Sequence, residues 1–275
     1  MAKKTKSSTS YGVQALERAL YLMEMIKEKG GADANYLAKE LGVHRSSVYR
    51  ILGALQRWGY VRQDSQNMKF QLGLKFIEMA NQVDFFHELR LLAIPYMEKL
   101  MQHTRETTHL MTLENDHVFY LAKVESPETI RMFSRVGVRR PAYCTAGGKV
   151  LLAFLPPRER KQLVENMTLE PHTENTIQDR EKLLQLLEEV AQRGWAIEIE
   201  ENEPGVCCAG APIFRKDGEV VAALTVSCPV FRTPREKLLG FLPMLMETAG
   251  EISQALGGSV PKKTAKTGSR KKTSQ

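Results

Sequence analysis

The apolar residues of "HRSSVYRIL" (residues 44–52) fall at Val48, Ile51 and Leu52, with Leu55 following, which is the spacing of one helical stripe. At about 100° per residue, Ser46, Tyr49, Arg50 and Gly53 point away from that stripe, with Arg45 at its margin. Ahead of it, "YGVQALERALYLMEMIKEKGG" places Leu16, Ala19, Leu20, Met23 and Ile26 on one helical face and ends at Gly30-Gly31. "ADANYLAKELG" reads as a short helix burying Leu37, Ala38 and Leu41 and stopping at Gly42. After the third helix, "YVRQD" and "KFQLG" are strand-like runs around the polar turn "SQNM", which predicts a hairpin. Three helices followed by a hairpin are the parts of a winged helix-turn-helix, here spanning 11–73.

Residues 74–105 read as a helical region interrupted at Pro95, with Leu74, Phe76, Ile77, Ala80 and Val83 as an apolar stripe over 74–86. Such a stripe needs a cover, supplied by a second subunit or by the chain's own second domain. From 108 onward the period changes to two in "HLMTLEN", "HVFYLAKVE" and "TIRMFSRV". Helices are predicted at 146–155, 157–166 and 179–193, strands at "WAIEIEE", "VCCAGAPIF" and "EVVAALTVS", and a closing helix at 233–256. That order predicts an α+β domain over 87–258 with a central, mostly antiparallel sheet.

Length and composition agree with this division. A chain of 275 residues with 43% hydrophobic content can bury two ordinary cores. No apolar run approaches the ~20 residues needed to cross a bilayer. The start "MAKKTKSSTS" has no apolar core behind its lysines, so no secretory signal is expected and a cytoplasmic protein is. Charge is uneven: segment 11–75 has ten basic against six acidic residues, and 76–260 has twenty against twenty-six. Residues 1–10 and 259–275 are expected to be basic disordered tails. A cationic first module beside an acidic body points to a polyanion-binding unit joined to a domain with another task.

A helix fits the major groove of duplex DNA, whose base edges demand donors and acceptors near the helix N-terminus. Arg45, Ser46, Ser47, Tyr49 and Arg50 supply them, and Gly53 permits close backbone approach. Arg62 and Lys69 in the hairpin are candidate phosphate contacts, the other reading being ordinary surface charge. In the second domain, "TAGGKVLLAF" reads as a Gly-rich turn opening a helix, where amides and the helix dipole favour an anion. It lacks the upstream glycine of a nucleotide P-loop, and Val150 follows Lys149 where Ser or Thr would stand, so a small carboxylate is the better fit. Thr225 and Ser227 share one face of the strand "AALTVSCP" and could bind a carboxylate or carbonyl, or merely face water.

The stretches "ALERAL…LAKELGVHRSSVYRILGALQRWGYV", "RRPAYCTAGGKVLLAFLP" and "RGWAIEIEENEPGVCCAGAPIFRKDGEVVAALTVSCP" resemble the IclR family of bacterial transcriptional regulators over residues 12–256. Within the family the chain is most similar to the KdgR-like subgroup. The resemblance implies a winged helix-turn-helix, a linker helix used in dimerisation (with a tetramer as an option) and a GAF-like effector domain. It also implies an effector pocket at Ala146, Gly147, Glu198, Cys208, Thr225 and Ser227. The position of Glu198 is more often Asp in the family, and Tyr143 replaces a usual His, changes expected to alter the pocket.

The reading that follows is a DNA-binding regulator, expected to be a repressor of a catabolic operon, controlled by a small carboxylate or sugar acid. Two alternatives stand beside it. One is a thiol- or metal-responsive regulator using Cys144, Cys207, Cys208 and Cys228, although no CxxC spacing occurs. The other is an enzyme with Cys144 or Cys208 as nucleophile and His109 or His172 as base, which requires hydrogen-bond reach. No cofactor, metal or membrane is expected.

Overall fold

Residues 13–80 and 84–258 are described, in a computed structural model of the chain. The chain separates into two compact units, 1–87 and 88–275. The expected basic tails and residues 81–83 lie outside the described residues.

The first unit contains α1 (Gln14–Lys29), α2 (Ala34–Leu41), α3 (Arg45–Arg57), the strands β1 (Val61–Gln63) and β2 (Phe70–Leu72), and α4 (Lys75–Ala80). Capping sets the helix boundaries. Gly30 and Gly42 close α1 and α2 at φ 66° and 65°, the left-handed conformation that glycine adopts without a Cβ penalty. The Asp33 carboxylate accepts from the amides of Asn35 and Tyr36 to open α2, and the His44 ring accepts from Ser46 to open α3. The core gathers Leu22, Met25, Ile26, Leu37, Val48, Leu52, Val61 and Phe70. The hairpin pairs Val61 with Leu72 and Gln63 with Phe70, and its turn is folded around the Asp64 carboxylate, which accepts from Gln66 and Asn67.

The α1 face differs from expectation. Leu16 and Leu20 are 58% and 52% exposed, and the buried stripe is Leu22, Met25 and Ile26. Apolar residues occupy two adjacent stripes of α1, and a 3.6-residue period cannot choose between them; contact with α2, α3 and β2 does. The helix expected over 74–86 is described as α4 and, from Asp84, the start of α5 (Asp84–Thr104). Phe76 packs edge-on against Tyr60, while Leu74 and Ile77 are exposed. Nor does Pro95 interrupt the helix, since α5 continues through it. The carbonyl that Pro95 cannot satisfy belongs to Leu91, itself exposed, so the missing bond costs little.

The second unit continues with β3 (Thr107–Glu114), β4 (His117–Val124), β5 (Arg139–Pro141), α6 (Ala146–Ala153), α7 (Pro157–Asn166), α8 (Arg180–Arg193), β6 (Ala196–Ile199), β7 (Val206–Phe214), β8 (Val220–Pro229), α9 (Arg235–Gly240) and α10 (Leu242–Ala255). Its six strands form one antiparallel sheet in the order β5-β4-β3-β8-β7-β6. Helices α6, α7 and α8 build a core with it from Met111, Val118, Val150, Leu152, Val164, Leu183, Leu187 and Val190. Among the described residues no helix is long and apolar enough to cross a membrane.

Two elements depart from the sequence reading. The strand expected at "TIRMFSRV" is an irregular connection, although Met132 and Ser134 do turn inward while Arg131, Phe133 and Arg135 turn outward. Its carbonyls are met by side chains: Lys123 donates to Ser134 at 2.9 Å and Arg232 to Ile130 at 2.9 Å. Alternation was therefore real without a ladder. The closing helix is two helices, because Pro243 lacks the amide that would join α9 to α10.

Candidate nucleic-acid interface and small-molecule site

Val48 and Leu52 anchor α3, which leaves Arg45, Ser46, Tyr49 and Arg50 exposed and Ser47 half-buried. A Cβ added at Gly53 would meet nothing within 4 Å, so that face of the helix is open. Several of these side chains are already oriented. Arg45 donates to the Tyr49 hydroxyl at 2.9 Å, and Tyr49 meets Phe70 of the hairpin edge-on at 6.1 Å. The Ser46 hydroxyl is bonded to the His44 ring at 2.8 Å. Arg50, Arg62 and Lys69 make no ion pair among the described residues, and the hairpin carries Arg62 and Lys69 exposed. The sequence did not single out His44 as the capping residue that fixes the start of α3.

The second candidate site is built by register. Glu198 lies opposite Cys208, Cys208 opposite Ser227, and Ser227 opposite Thr107, so these side chains line up across β6, β7, β8 and β3. One row further along, Gly210 lies opposite Thr225 and Thr225 opposite His109. Positions two apart share a face, so both rows face the same way.

Helix α6 lies on that face in near contact with the backbone. A Cβ at Gly210 would stand 3.1 Å from the Ala146 carbonyl, and one at Gly147 would stand 2.2 Å from the Met111 sulfur and 3.0 Å from the Thr225 methyl. The glycines of "TAGGK" thus belong to the helix itself and permit its approach, rather than forming a turn ahead of it. The Thr145 hydroxyl accepts from Gly148 at 3.2 Å, and the Thr145 carbonyl from Lys149. The amides of Ala146 and Gly147 keep no partner among the described residues, as the first turn of a helix requires.

Polar groups in this site are buried before any ligand arrives. Thr225 is 1% exposed and its hydroxyl has no hydrogen-bond partner among the described residues. Glu198 is 2% exposed; its Oε1 accepts from the amides of Glu201 at 2.8 Å and Asn202 at 3.3 Å. Burial pushes its carboxyl up to about 7, against the pull of those amides. Lys149 is fully buried, ion-paired with Glu201 and donating to the Ile197 carbonyl. Cys208 donates to Ser227 at 3.3 Å, Ser227 is bonded to His109 Nδ1 at 3.2 Å, and His109 Nε2 to Ser134 at 2.7 Å. Burial, and secondarily Lys123, lowers His109 to about 3.

All six candidate effector residues therefore come together, and His109, Ser134, Lys149 and Asn202 are bonded to or beside them. A histidine two residues before Met111, on the inward face of β3, is the signal His109 offered. Tyr143 is committed elsewhere: its hydroxyl donates to the Glu170 carbonyl at 2.6 Å and its ring stacks on His172. The geometry gives Cys144 and Cys208 no nucleophilic character. Ser227 stands between Cys208 and His109, burial raises the Cys208 thiol well above its usual range, and it raises Cys144 to about 12, whereas a hydrogen bond from Cys228 lowers the Cys207 thiol. Cys207 faces Cys228 across the strands and bonds to the Thr233 carbonyl. Among the described residues no three His, Cys, Asp or Glu side chains are grouped to hold a metal.

Comparisons with known proteins identify the family of both units. Residues 15–65 match the IclR helix-turn-helix domain and residues 85–254 the C-terminal domain of bacterial transcriptional regulator IclR. The chain is 34% identical over 245 residues to the transcriptional regulator KdgR of Escherichia coli, covering 89% of this chain and 93% of the relative. It is 29% identical over 251 residues to the repressor AllR of Salmonella typhimurium, covering 91% of this chain and 92% of the relative. The crystal structure of Thermotoga maritima IclR superposes with a TM-score of 0.75 at 32% identity, covering 90% of this chain and all of that one. An IclR homolog from Microbacterium hydrocarbonoxydans, complexed with 4-hydroxybenzoate, gives a TM-score of 0.79 at 25% identity over 88% of this chain and 99% of that one.

Proposed function

Because the chain belongs to the IclR family of bacterial transcriptional regulators, and so is a DNA-binding regulator, we propose that it represses a catabolic operon under the control of a small carboxylate or sugar acid. The observation that carries the effector class is the Thr225 hydroxyl, buried without a partner on the sheet face that α6 covers, where the first-turn amides of α6 are also unbonded. A buried hydroxyl left unsatisfied costs about 1–3 kcal/mol. A carboxylate supplies acceptors to the amides and to Thr225 together, at the positive end of the helix.

In this reading, residues 11–73 read DNA through Arg45, Ser46, Ser47, Tyr49 and Arg50, with Arg62 and Lys69 on phosphates. Residues 74–86 pair two copies, the exposed Leu74 and Ile77 supporting that role, and 87–258 bind the effector. The protein acts in the cytoplasm, as a homodimer or a tetramer of two such dimers. An effector shifts operator affinity only as far as its own affinities for the DNA-bound and free forms differ. Two reading heads must meet half-sites about 34 Å apart, or a multiple, so a small change in their separation suffices.

Gel-shift titration of the full chain against DNA from its own upstream region tests the reading. A site-specific complex is expected at moderate salt, weakened by an aromatic or sugar acid. Equal affinity for random DNA, with or without acid, overturns it.

A further inference from the structure

We propose that Glu198 carries a proton when the effector is bound and donates it to the effector's carboxylate, so that binding draws one proton from solution. The inference rests on the effector site proposed above.

Its basis is a count of buried charges. Two carboxylates, Glu198 and Glu201, are packed with one cation, Lys149. That cation is already committed, with its ammonium against Glu201 and on the Ile197 carbonyl. The remaining groups facing Glu198 bring no positive charge. Cys208 from β7, Cys144 ahead of α6 and Tyr120 from β4 are each held neutral by burial. Cys207, next along β7, is bonded to Thr233 and Cys228. His109, one row away, is neutral by the same desolvation.

An effector carboxylate entering at the Ala146 and Gly147 amides would stand in this space beside an ionised Glu198 with no free cation. Two like charges so buried cannot both persist, and one takes up a proton. Geometry selects Glu198 and one of its atoms. Oε1 is occupied by the Glu201 and Asn202 amides and the Cys208 thiol also meets the carboxyl, so Oε2, which no backbone amide holds, is the atom to bear the hydrogen. Water supplies the proton to Oε2, and the O–H then donates to an effector oxygen; no other bond is made or broken.

The test is calorimetric titration of the full-length protein with 4-hydroxybenzoate, D-gluconate and related aromatic and sugar acids, in buffers of unequal ionisation heat. Wild type should take up close to one proton per acid bound at mildly alkaline pH. Its affinity should fall about tenfold per pH unit there. The Glu198→Gln variant, of equal shape, should bind with no uptake and no such slope, and Glu198→Asp should restore uptake. Binding without uptake in wild type, or equal uptake in Glu198→Gln, overturns the proton while leaving the effector class intact. No binding by any acid overturns the effector class and the donated bond together. In the free protein, a carbon-13 glutamate resonance that titrates near neutrality and vanishes in Glu198→Gln supports the inference; one ionised well into the acid range overturns it.

Discussion

The two candidate sites of this regulator solve opposite problems with their polar groups. In the first unit Arg45, Tyr49, Arg50, Arg62 and Lys69 stay exposed. In the second, Glu198, Thr225, Ser227 and His109 are buried. DNA is large and brings its own charges, so a surface that waits for it can remain hydrated. A small acid must be enclosed to be held, so its partners are desolvated in advance. That cost is visible in a raised carboxyl, a lowered imidazole and a hydroxyl without a partner.

The contrast breaks first at α3. Replacing Arg45 and Arg50 together by Ala should cost at least about thirtyfold in operator affinity, since each guanidinium paired to a base is worth about 1–3 kcal/mol. Acid binding should be unaffected. Fluorescence anisotropy and calorimetry on the same preparation would show it, and retained operator affinity would remove α3 from the interface.

Next in size is the pH dependence of folding. Glu198 sits near 7 folded against 4.5 for an ordinary glutamate, so its contribution is complete at low pH and is lost as pH rises through 7. His109 sits near 3 against 6.5, so its contribution is complete above 6.5 and is lost as pH falls. Between those ordinary values the folded chain gains one proton at Glu198 and forgoes one at His109, and the slopes cancel. Glu198→Gln should therefore expose a loss of about 1.4 kcal/mol per pH unit on acidification from 6.5 to 4.5. His109→Asn should expose the reverse slope. Urea midpoints across that range decide the matter, and a flat profile in both variants would mean neither group is desolvated as described.

Smaller again is Thr225→Val, which keeps the shape and removes the hydroxyl. Stability should be unchanged or higher by about 1 kcal/mol, because an unsatisfied buried group is gone. Acid affinity should fall roughly tenfold. A fall in stability instead would show that the hydroxyl already has a partner. The smallest effect belongs to the hairpin: Arg62→Ala and Lys69→Ala should each lower the salt slope of DNA binding by about 1, without changing sequence preference. An unaltered slope would return both to ordinary surface charge.

The same contrast explains what could be read from the sequence. The outward face of α3 followed from one period, because the exposed side of a helix is whatever the buried stripe is not. Thr225 and Ser227 followed from the strand period and the "TAGGK" stretch from helix-end chemistry, and resemblance joined them with Glu198 and Cys208 in one pocket, whereas the places of His109, Ser134 and Lys149 depend on which elements neighbour each other and in what register. Nothing in the local pattern around His109 says that Thr225 and Ser227 will stand beside it. The irregular run at 129–136 misled for a related reason. Its alternation was genuine, and the missing ladder was replaced by Lys123 of the preceding strand and by Arg232, distant in sequence.

The row of contacts from Cys208 through Ser227 and His109 to Ser134 has a direction as well as a length. A neutral imidazole gives from one nitrogen and receives at the other. With the thiol giving to Ser227 and Ser227 giving to Nδ1, Nε2 must give to Ser134. A guest atom that claims the Ser227 hydrogen would strand Nδ1, force the ring into its other tautomer and leave Ser134 facing an acceptor. News of occupancy could then cross from β7 to the connection beyond β4 as a reversal of polarity, with scarcely any atom displaced.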